Sequence, residues 1–585
     1  MRKRLSSVLA FVGLLSLAGC SSSQNEAARI DKTESPIVAA RTSSVPVEPP
    51  VLAREQTSQA MGRSAGSGRG VRPEPSYRHE VESANYLFAQ NKSASSPRIR
   101  RTSRPGGHAI AAEGASYRGE DGAAVADKNP ELDLYKMAMA EPLSTFSADV
   151  DTASYANFRR LVKAGRKPRP DEVRLEEMVN YFTYDLPEPK AGQPFSVTSE
   201  LTECPWNDDA RLLRLAIKTP SIDRDEKPPC NLVFLLDVSG SMEAPDKLPL
   251  LKSSLKTLVD SLDDADRIAI VVYAGDSGVA LPSTPASDKA KILEAIDSLH
   301  AGGSTNGASG LQLAYQIAAE SGAEGAVNRV ILATDGDFNV GVSSEAGLKQ
   351  LIEEKRKSGI FLSVLGFGSN GYNDQTMETL ADNGNGNYAS IDSLDEARKV
   401  LVEESGANLV TVAKDVKFQF EFDPKQVKQY RLLGYKNRRL ANADFANDKK
   451  DAGDLGAGHA VTVLYEIVPT QGESGLKQTL LGAVGMDASA NLGTVRLRYK
   501  APDDDSSELL ELPVTNSPRD LSKASADHRW AVAVSGLGLT LDGDPEGAKI
   551  SLQGLTKLAK SAAGADPYRK EFLSLMSSAQ KLASL

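Results

Sequence analysis

From residue 231 the chain repeats one pattern: a short, unbroken apolar run followed by a stretch with helical spacing. Residues 231–237 read Asn-Leu-Val-Phe-Leu-Leu-Asp. A run without alternation suits a strand covered on both faces, as in a parallel sheet. In residues 247–262, Leu248, Leu251, Leu255, Leu258 and Leu262 share one helical face. Further strands are expected at 267–273, 278–281, 329–334, 360–365 and 387–391. Helices are expected at 289–299, 307–321, 344–357 and 374–381, and from Leu394. Parallel neighbours need long crossovers, which the helices supply. The alternation therefore predicts an α/β domain with a doubly wound sheet and helices on both faces. In such sheets ligands sit beyond the carboxyl ends of the strands.

The polar residues fall at those ends. The first strand runs into Asp237-Val238-Ser239-Gly240-Ser241, whose alternate side chains can point the same way. The loop His300-Ala301-Gly302-Gly303-Ser304-Thr305-Asn306 presents Thr305, and the strand 329–334 delivers Asp335. The set is three hydroxyls and two carboxylates, all oxygen, which suits a hard divalent cation. A cation with few direct carboxylates stays electrophilic and can take an acidic side chain from another molecule.

The pattern Asp237-x-Ser239-x-Ser241 with Thr305 and Asp335 resembles the metal-ion-dependent adhesion site of von Willebrand factor A (VWA) domains. That resemblance implies that Ser239, Ser241 and Thr305 supply hydroxyls. Asp237 and Asp335 would supply carboxylates, directly or through water. It implies Mg²⁺, with Mn²⁺ or Ca²⁺ as alternatives, and a protein partner presenting an acidic residue to the metal.

The flanks resemble YfbK-like bacterial lipoproteins. The residues that carry this are 142–155 (Pro-Leu-Ser-Thr-Phe-Ser-Ala-Asp-Val-Asp-Thr-Ala-Ser-Tyr) and 174–182 (Arg-Leu-Glu-Glu-Met-Val-Asn-Tyr-Phe). Gly434-Tyr435-Lys436-Asn437-Arg438, Asp451-Ala452-Gly453 and Gly456-Ala457-Gly458-His459 add to it. The likeness spans about residues 141–585 and implies a metal-binding domain between the flanks, with no established reaction.

Residues 195–204 and 211–217 alternate, with Leu213, Leu215 and Ile217 on one face, and so do 415–422, 460–468 and 493–499. Strands on both sides of an intact domain predict that it is inserted in, or flanked by, a β-sandwich. Helices are expected at 527–535, 545–560 and 567–584, with Asp544 capping the second ahead of Pro545.

The beginning of the chain is different in kind. Arg2, Lys3 and Arg4 precede an apolar run from Leu5 to Ala18, the anatomy of an export signal. It ends Leu17-Ala18-Gly19-Cys20, which resembles a bacterial lipobox, so Cys20 is the expected lipidation site and lipid anchor. By the same resemblance Ser21 favours the outer membrane, facing the periplasm, in a Gram-negative cell. Residues 21–140 are rich in Ser, Ala, Pro, Gly and Arg and read as a disordered tether. The expected organisation is signal 1–19, tether 20–140, N-terminal flank 141–229, VWA domain 230–406, β-rich domain 407–515 and helical region 516–585.

Charge sharpens the functional classes. The chain carries net charge −10, but the leader has three basic residues and the tether 16 basic against 14 acidic, which leaves −15 for the remaining 445 residues. That balance argues against nucleic-acid binding. Of the three cysteines, Cys204 and Cys230 leave open either a disulfide, permitted in an exported protein, or two buried thiols. Gly366-Phe367-Gly368-Ser369-Asn370-Gly371 matches a dinucleotide pattern but follows a late strand, so it reads as a turn. The expectation is a lipid-anchored envelope protein that binds a protein partner through a divalent metal, not an enzyme. The alternatives are a structural lipoprotein whose metal only stabilises it, and a metal-assisted envelope hydrolase with Asp335 or Asp337 as base.

Overall fold

The structure, a computed structural model, describes residues 134–583 apart from 149, 224–225, 276, 305–306, 324, 337–344, 369–373, 471–490, 503 and 505. The signal, Cys20 and nearly all of the tether lie outside the described residues.

The central domain is an α/β sheet of six strands. Their order is Tyr388–Ile391, Ile360–Phe367, Val327–Thr334, Cys230–Asp237, Arg267–Tyr273 and Ser277–Pro285. All neighbours are parallel except the last pair, which is antiparallel. Cys230–Asp237 is buried at every position, as an apolar run covered on both faces requires. Its two faces feed two cores. Phe234 and Leu236 pack with the leucines of helix Leu248–Ser261, whereas Val233 and Leu235 pack with helix Gly307–Ser321. The chain leaves this strand for the neighbour on one side and later returns to the neighbour on the other. Strand order thus reverses here, opening the crevice where ligands bind in such folds. The short strand expected at 278–281 is longer, Ser277–Pro285, because it pairs along the whole of Arg267–Tyr273 through two irregularities.

The strands before and after this domain pair directly, as the insertion in a sandwich requires. Arg211–Lys218 lies antiparallel to Ala460–Pro469, with Ile217 opposite Val461 and Leu213 opposite Tyr465. They belong to a sheet that also holds Val427–Leu432 and Ser196–Glu203. A second sheet, built on Thr411–Phe422 and Asn491–Lys500, faces it across a core containing Leu213, Leu215, Ile217, Phe418, Phe420 and Tyr465. The opposite face of the first sheet is not solvated. Leu212, Ala216 and Leu464 pack under helices Ala153–Lys163, Ala526–Asp542 and Pro567–Ala583, around Trp530, Tyr155 and Phe572.

Two helix bounds are revised, and one open choice, between a disulfide and two thiols, is decided. The helix expected at 545–560 begins only at Leu552, capped by the Ser551 hydroxyl, which accepts the Gly554 N–H at 3.2 Å. Asp544 instead caps a tight turn, accepting the Glu546 N–H at 2.8 Å, and its other oxygen is held by Arg431 at 2.9 Å. The helix expected at 527–535 runs to Asp542, where Gly543 at φ +72° ends it. Cys204 and Cys230 are both free thiols, because they sit in different cores. Burial pushes both thiols up, Cys230 to about 11, so neither is reactive.

The residues of the flanking signatures hold the domain against its support. Asp151 accepts the Tyr388 N–H at 2.8 Å and pairs with Arg438 at 2.9 Å. Arg438 also reaches Glu378 at 2.8 Å, and Arg174 reaches the same glutamate at 2.9 Å. Between the two N-terminal signatures, Arg159 bonds Asp392 at 2.8 Å and Glu396 at 2.7 Å in the domain, and Glu571 of helix Pro567–Ala583 at 3.2 Å.

Candidate metal centre

Strand Cys230–Asp237 ends on Asp237, directly opposite Tyr273 in the neighbouring strand. Asp237 is fully buried. Its Oδ1 accepts the Ser239 N–H at 2.8 Å, which turns the chain back over the strand end. Its Oδ2 accepts the Tyr273 hydroxyl at 3.2 Å and the Thr334 hydroxyl at 3.4 Å. The carboxylate is therefore fixed from three elements before any ligand arrives. Burial pushes the Asp237 carboxyl up and the charge of Asp335 adds to this, while hydrogen bonds from Ser239 and Tyr273 pull it down.

The turn then presents its hydroxyls. Ser239 Oγ and Ser241 Oγ lie 3.0 Å apart. Asp335 follows the last residue of strand Val327–Thr334 and is buried, whereas Ser241 is exposed. The second loop is laced onto the first: Gly302 N–H donates to the Val238 carbonyl at 2.8 Å, and Gly240 N–H donates to the Gly303 carbonyl at 3.2 Å. Gly303, at φ +86°, presses so close that a Cβ would meet the Gly275 nitrogen at 3.2 Å. The structure thus brings Asp237, Ser239, Ser241 and Asp335 to one edge of the sheet. Thr305 lies outside the described residues, two positions beyond the anchored Gly303.

This donor set fits a hard cation. Among the described residues no three His, Cys, Asp or Glu side chains gather to ligate a metal, so a cation here depends on the hydroxyls. In an octahedron with bonds of about 2.0–2.1 Å, adjacent ligand oxygens stand about 2.9 Å apart. The 3.0 Å between the two serine hydroxyls matches that edge. A buried carboxyl group that a second carboxylate pushes further up is also a place where added positive charge is favourable. When bound, Mg²⁺ would supply an electrophilic centre, and the residues to hold it are Asp237, Ser239, Ser241 and Asp335.

Sequence reasoning missed three residues of this edge. Tyr273 and Thr334 orient Asp237, and both end a buried strand, so a polar atom at a strand terminus was the available signal. Lys247 reaches Asp335 Oδ2 at 2.8 Å and the Ser241 carbonyl at 3.0 Å. Nothing in its local sequence marks it, because a lysine at the start of a helix ordinarily faces solvent.

Residues 231–403 match the model of the von Willebrand factor type A domain, 128–214 match a model described as von Willebrand factor, and 407–582 match one described as uncharacterized protein YfbK, C-terminal. Over 464 residues the chain is 44% identical to the uncharacterized protein YfbK of Escherichia coli K12, covering 77% of this chain and 79% of that one. It is 30% identical over 187 residues to the uncharacterized protein sll0103 of Synechocystis, covering 32% and 43%. A solved von Willebrand factor type A structure from Catenulispora acidiphila superposes with TM-score 0.37 at 19% identity, covering 66% of this chain and 90% of that one.

Proposed function

The chain belongs to the YfbK family, and on that premise we propose that its VWA domain binds a protein partner through a divalent cation, Mg²⁺ or failing that Mn²⁺ or Ca²⁺. The observation that carries this is the meeting of Asp237, Ser239, Ser241 and Asp335 at the crevice where the strand order reverses. The gradient of exposure supports a direction of approach. Asp237 is sealed below and Ser241 faces solvent, so a partner's carboxylate would meet the cation from the serine side. The role is recognition rather than hydrolysis. Asp335, the described candidate for a base, is ion-paired with Lys247 at 2.8 Å, and Asp337 lies outside the described residues.

The test is capture of envelope proteins by the full chain, with Mg²⁺ and with EDTA, alongside Asp237→Ala. Capture that needs the metal and is lost in the variant supports the reading. Capture unchanged by both removes it. A second reading, a cation that only stabilises the fold, draws on the complete burial of Asp237. It would be favoured by a large Mg²⁺ thermal shift without metal-dependent capture.

The proposal extends to where the site works. A lipid on Cys20, followed by a tether of about 120 residues, would present the domain in the periplasm from the outer membrane. Cys20→Ala should then move the protein from the membrane fraction to the soluble one.

A further inference from the structure

Lys247 begins in the loop after strand Cys230–Asp237, at the cap of helix Leu248–Ser261. Its side chain does not run out to solvent, as an unpartnered lysine would. It lies largely buried across the strand ends and sets its ammonium 2.8 Å from Asp335 Oδ2 and 3.0 Å from the Ser241 carbonyl. The stem rests in a groove with a specific floor. Gly368, just past strand Ile360–Phe367, has φ +89°, and a Cβ there would stand 2.6 Å from Lys247 Cε and 2.9 Å from Cγ. Gly368 is the second glycine of the pattern that resembles a dinucleotide loop, and here its missing side chain makes room for a lysine. The lysine therefore has both a seat for its carbons and two oxygens for its charge, one on each of two residues that would hold the cation.

We propose that Lys247 is a tethered counter-cation of this site: it neutralises Asp335 in the metal-free protein and withdraws when a divalent cation binds. The proposal rests on the metal-site reading above. An ammonium at Asp335 Oδ2 and a divalent cation held by the same carboxylate would be like charges a few ångströms apart, so each disfavours the other. The ammonium keeps the buried carboxylates of the metal-free site compensated, which a bare pair would not be. It also sets the threshold at which metal is taken up, since only the fraction of molecules with the lysine withdrawn can bind. If that fraction is about one tenth, the apparent dissociation constant is raised about tenfold over the intrinsic one. A lysine suits this exchange because its charge sits on a flexible stem, unlike the rigid fork of an arginine.

The test is calorimetric titration of Mg²⁺ into the metal-free full chain, as wild type and as Lys247→Met, which keeps the stem and removes the charge. The expected result is binding about tenfold tighter in the variant, together with a lower melting temperature without metal. Affinity that is unchanged or weaker in a folded Lys247→Met overturns the inference. A second measurement needs no variant. Acylation of Lys247, followed by peptide mass spectrometry, should become several-fold faster when Mg²⁺ saturates the wild type, and an unchanged rate also overturns it. The two failures are distinguishable. Mg²⁺ uptake by wild type with no change in Lys247→Met removes only the lysine's role. Absence of uptake by both removes the metal site and this inference with it.

Discussion

Two regions of this molecule bury carboxylates and neutralise them in opposite ways. Beside the last strand of the central domain, Glu396 and Asp392 meet Arg159, and Glu396 also accepts the Tyr181 hydroxyl at 2.7 Å. The guanidinium is planar, permanently charged and nearly sealed from water, so this joint between the domain and its support is fixed. At the end of the central strand, Asp237 and Asp335 face hydroxyls and one lysine on a flexible stem. Both regions satisfy the requirement that buried charge be compensated. The first does it chiefly with a rigid guanidinium, the second with an ammonium on a flexible stem. The difference separates a fixed attachment from a pair that would have to loosen for the proposed cation to bind.

The largest effect should come from the fixed joint. Arg159→Met takes the guanidinium from the buried Glu396 and the partly exposed Asp392, and should cost about 3–5 kcal/mol in chemical denaturation. A loss under about 1 kcal/mol would show that the joint is no tighter than a surface pair. Next in size is the exchangeable site. Mg²⁺ at one hundred times its dissociation constant should stabilise the wild type by about 2.7 kcal/mol. Asp237→Ala should remove that gain, and an equal gain in the variant would place the cation elsewhere.

A third region extends the contrast. Asp454 accepts the Asp415 N–H at 3.0 Å, but its buried Oδ2 has no hydrogen-bond partner among the described residues. Burial pushes this group up to about 7, with Asp415 and Asp451 adding to it and Arg356 offsetting only part. A raised folded-state value means that the protonated form is favoured on folding. Its stabilisation is complete below the unfolded value and is lost as pH rises through about 7. Between pH 5 and 7 this group alone should lower stability by up to about 1.4 kcal/mol per pH unit. Asp454→Asn should flatten that slope, and an unchanged slope would assign it to other groups. The smallest effect concerns the thiols. Reduction should leave the mass and melting temperature unchanged, and Cys204 and Cys230 should react with a thiol reagent only on unfolding. A mass increase of about two hydrogens on reduction would contradict their separation into two cores.

Much of the fold was legible because its cause is local. The run Leu232–Leu236 is apolar at each position, as a strand covered on both faces requires. The alternation of Leu213, Leu215 and Ile217 marked one face of a sandwich strand. The burial of Leu212 and Ala216 on its other face was not readable, since it depends on helices from distant parts of the chain, Ala153–Lys163 before the strand and Ala526–Asp542 and Pro567–Ala583 long after it. Asp544-Pro545 misled for a related reason: the carboxylate that looks like a helix cap is held by Arg431 from another element. At the site, Asp237, Ser239, Ser241 and Asp335 could be named because they follow strand ends at fixed spacing. Lys247 could not, because its role arises where the side chain crosses from one strand end to Gly368 beyond another.

The central claim is that the edge of this sheet is a cation site on which recognition depends. Titration of Mg²⁺ into the metal-free full chain, with Asp237→Ala beside it, tests this most directly. The account predicts saturable uptake of one ion by the wild type and none by the variant. Equal uptake by both, or none by the wild type, would contradict it.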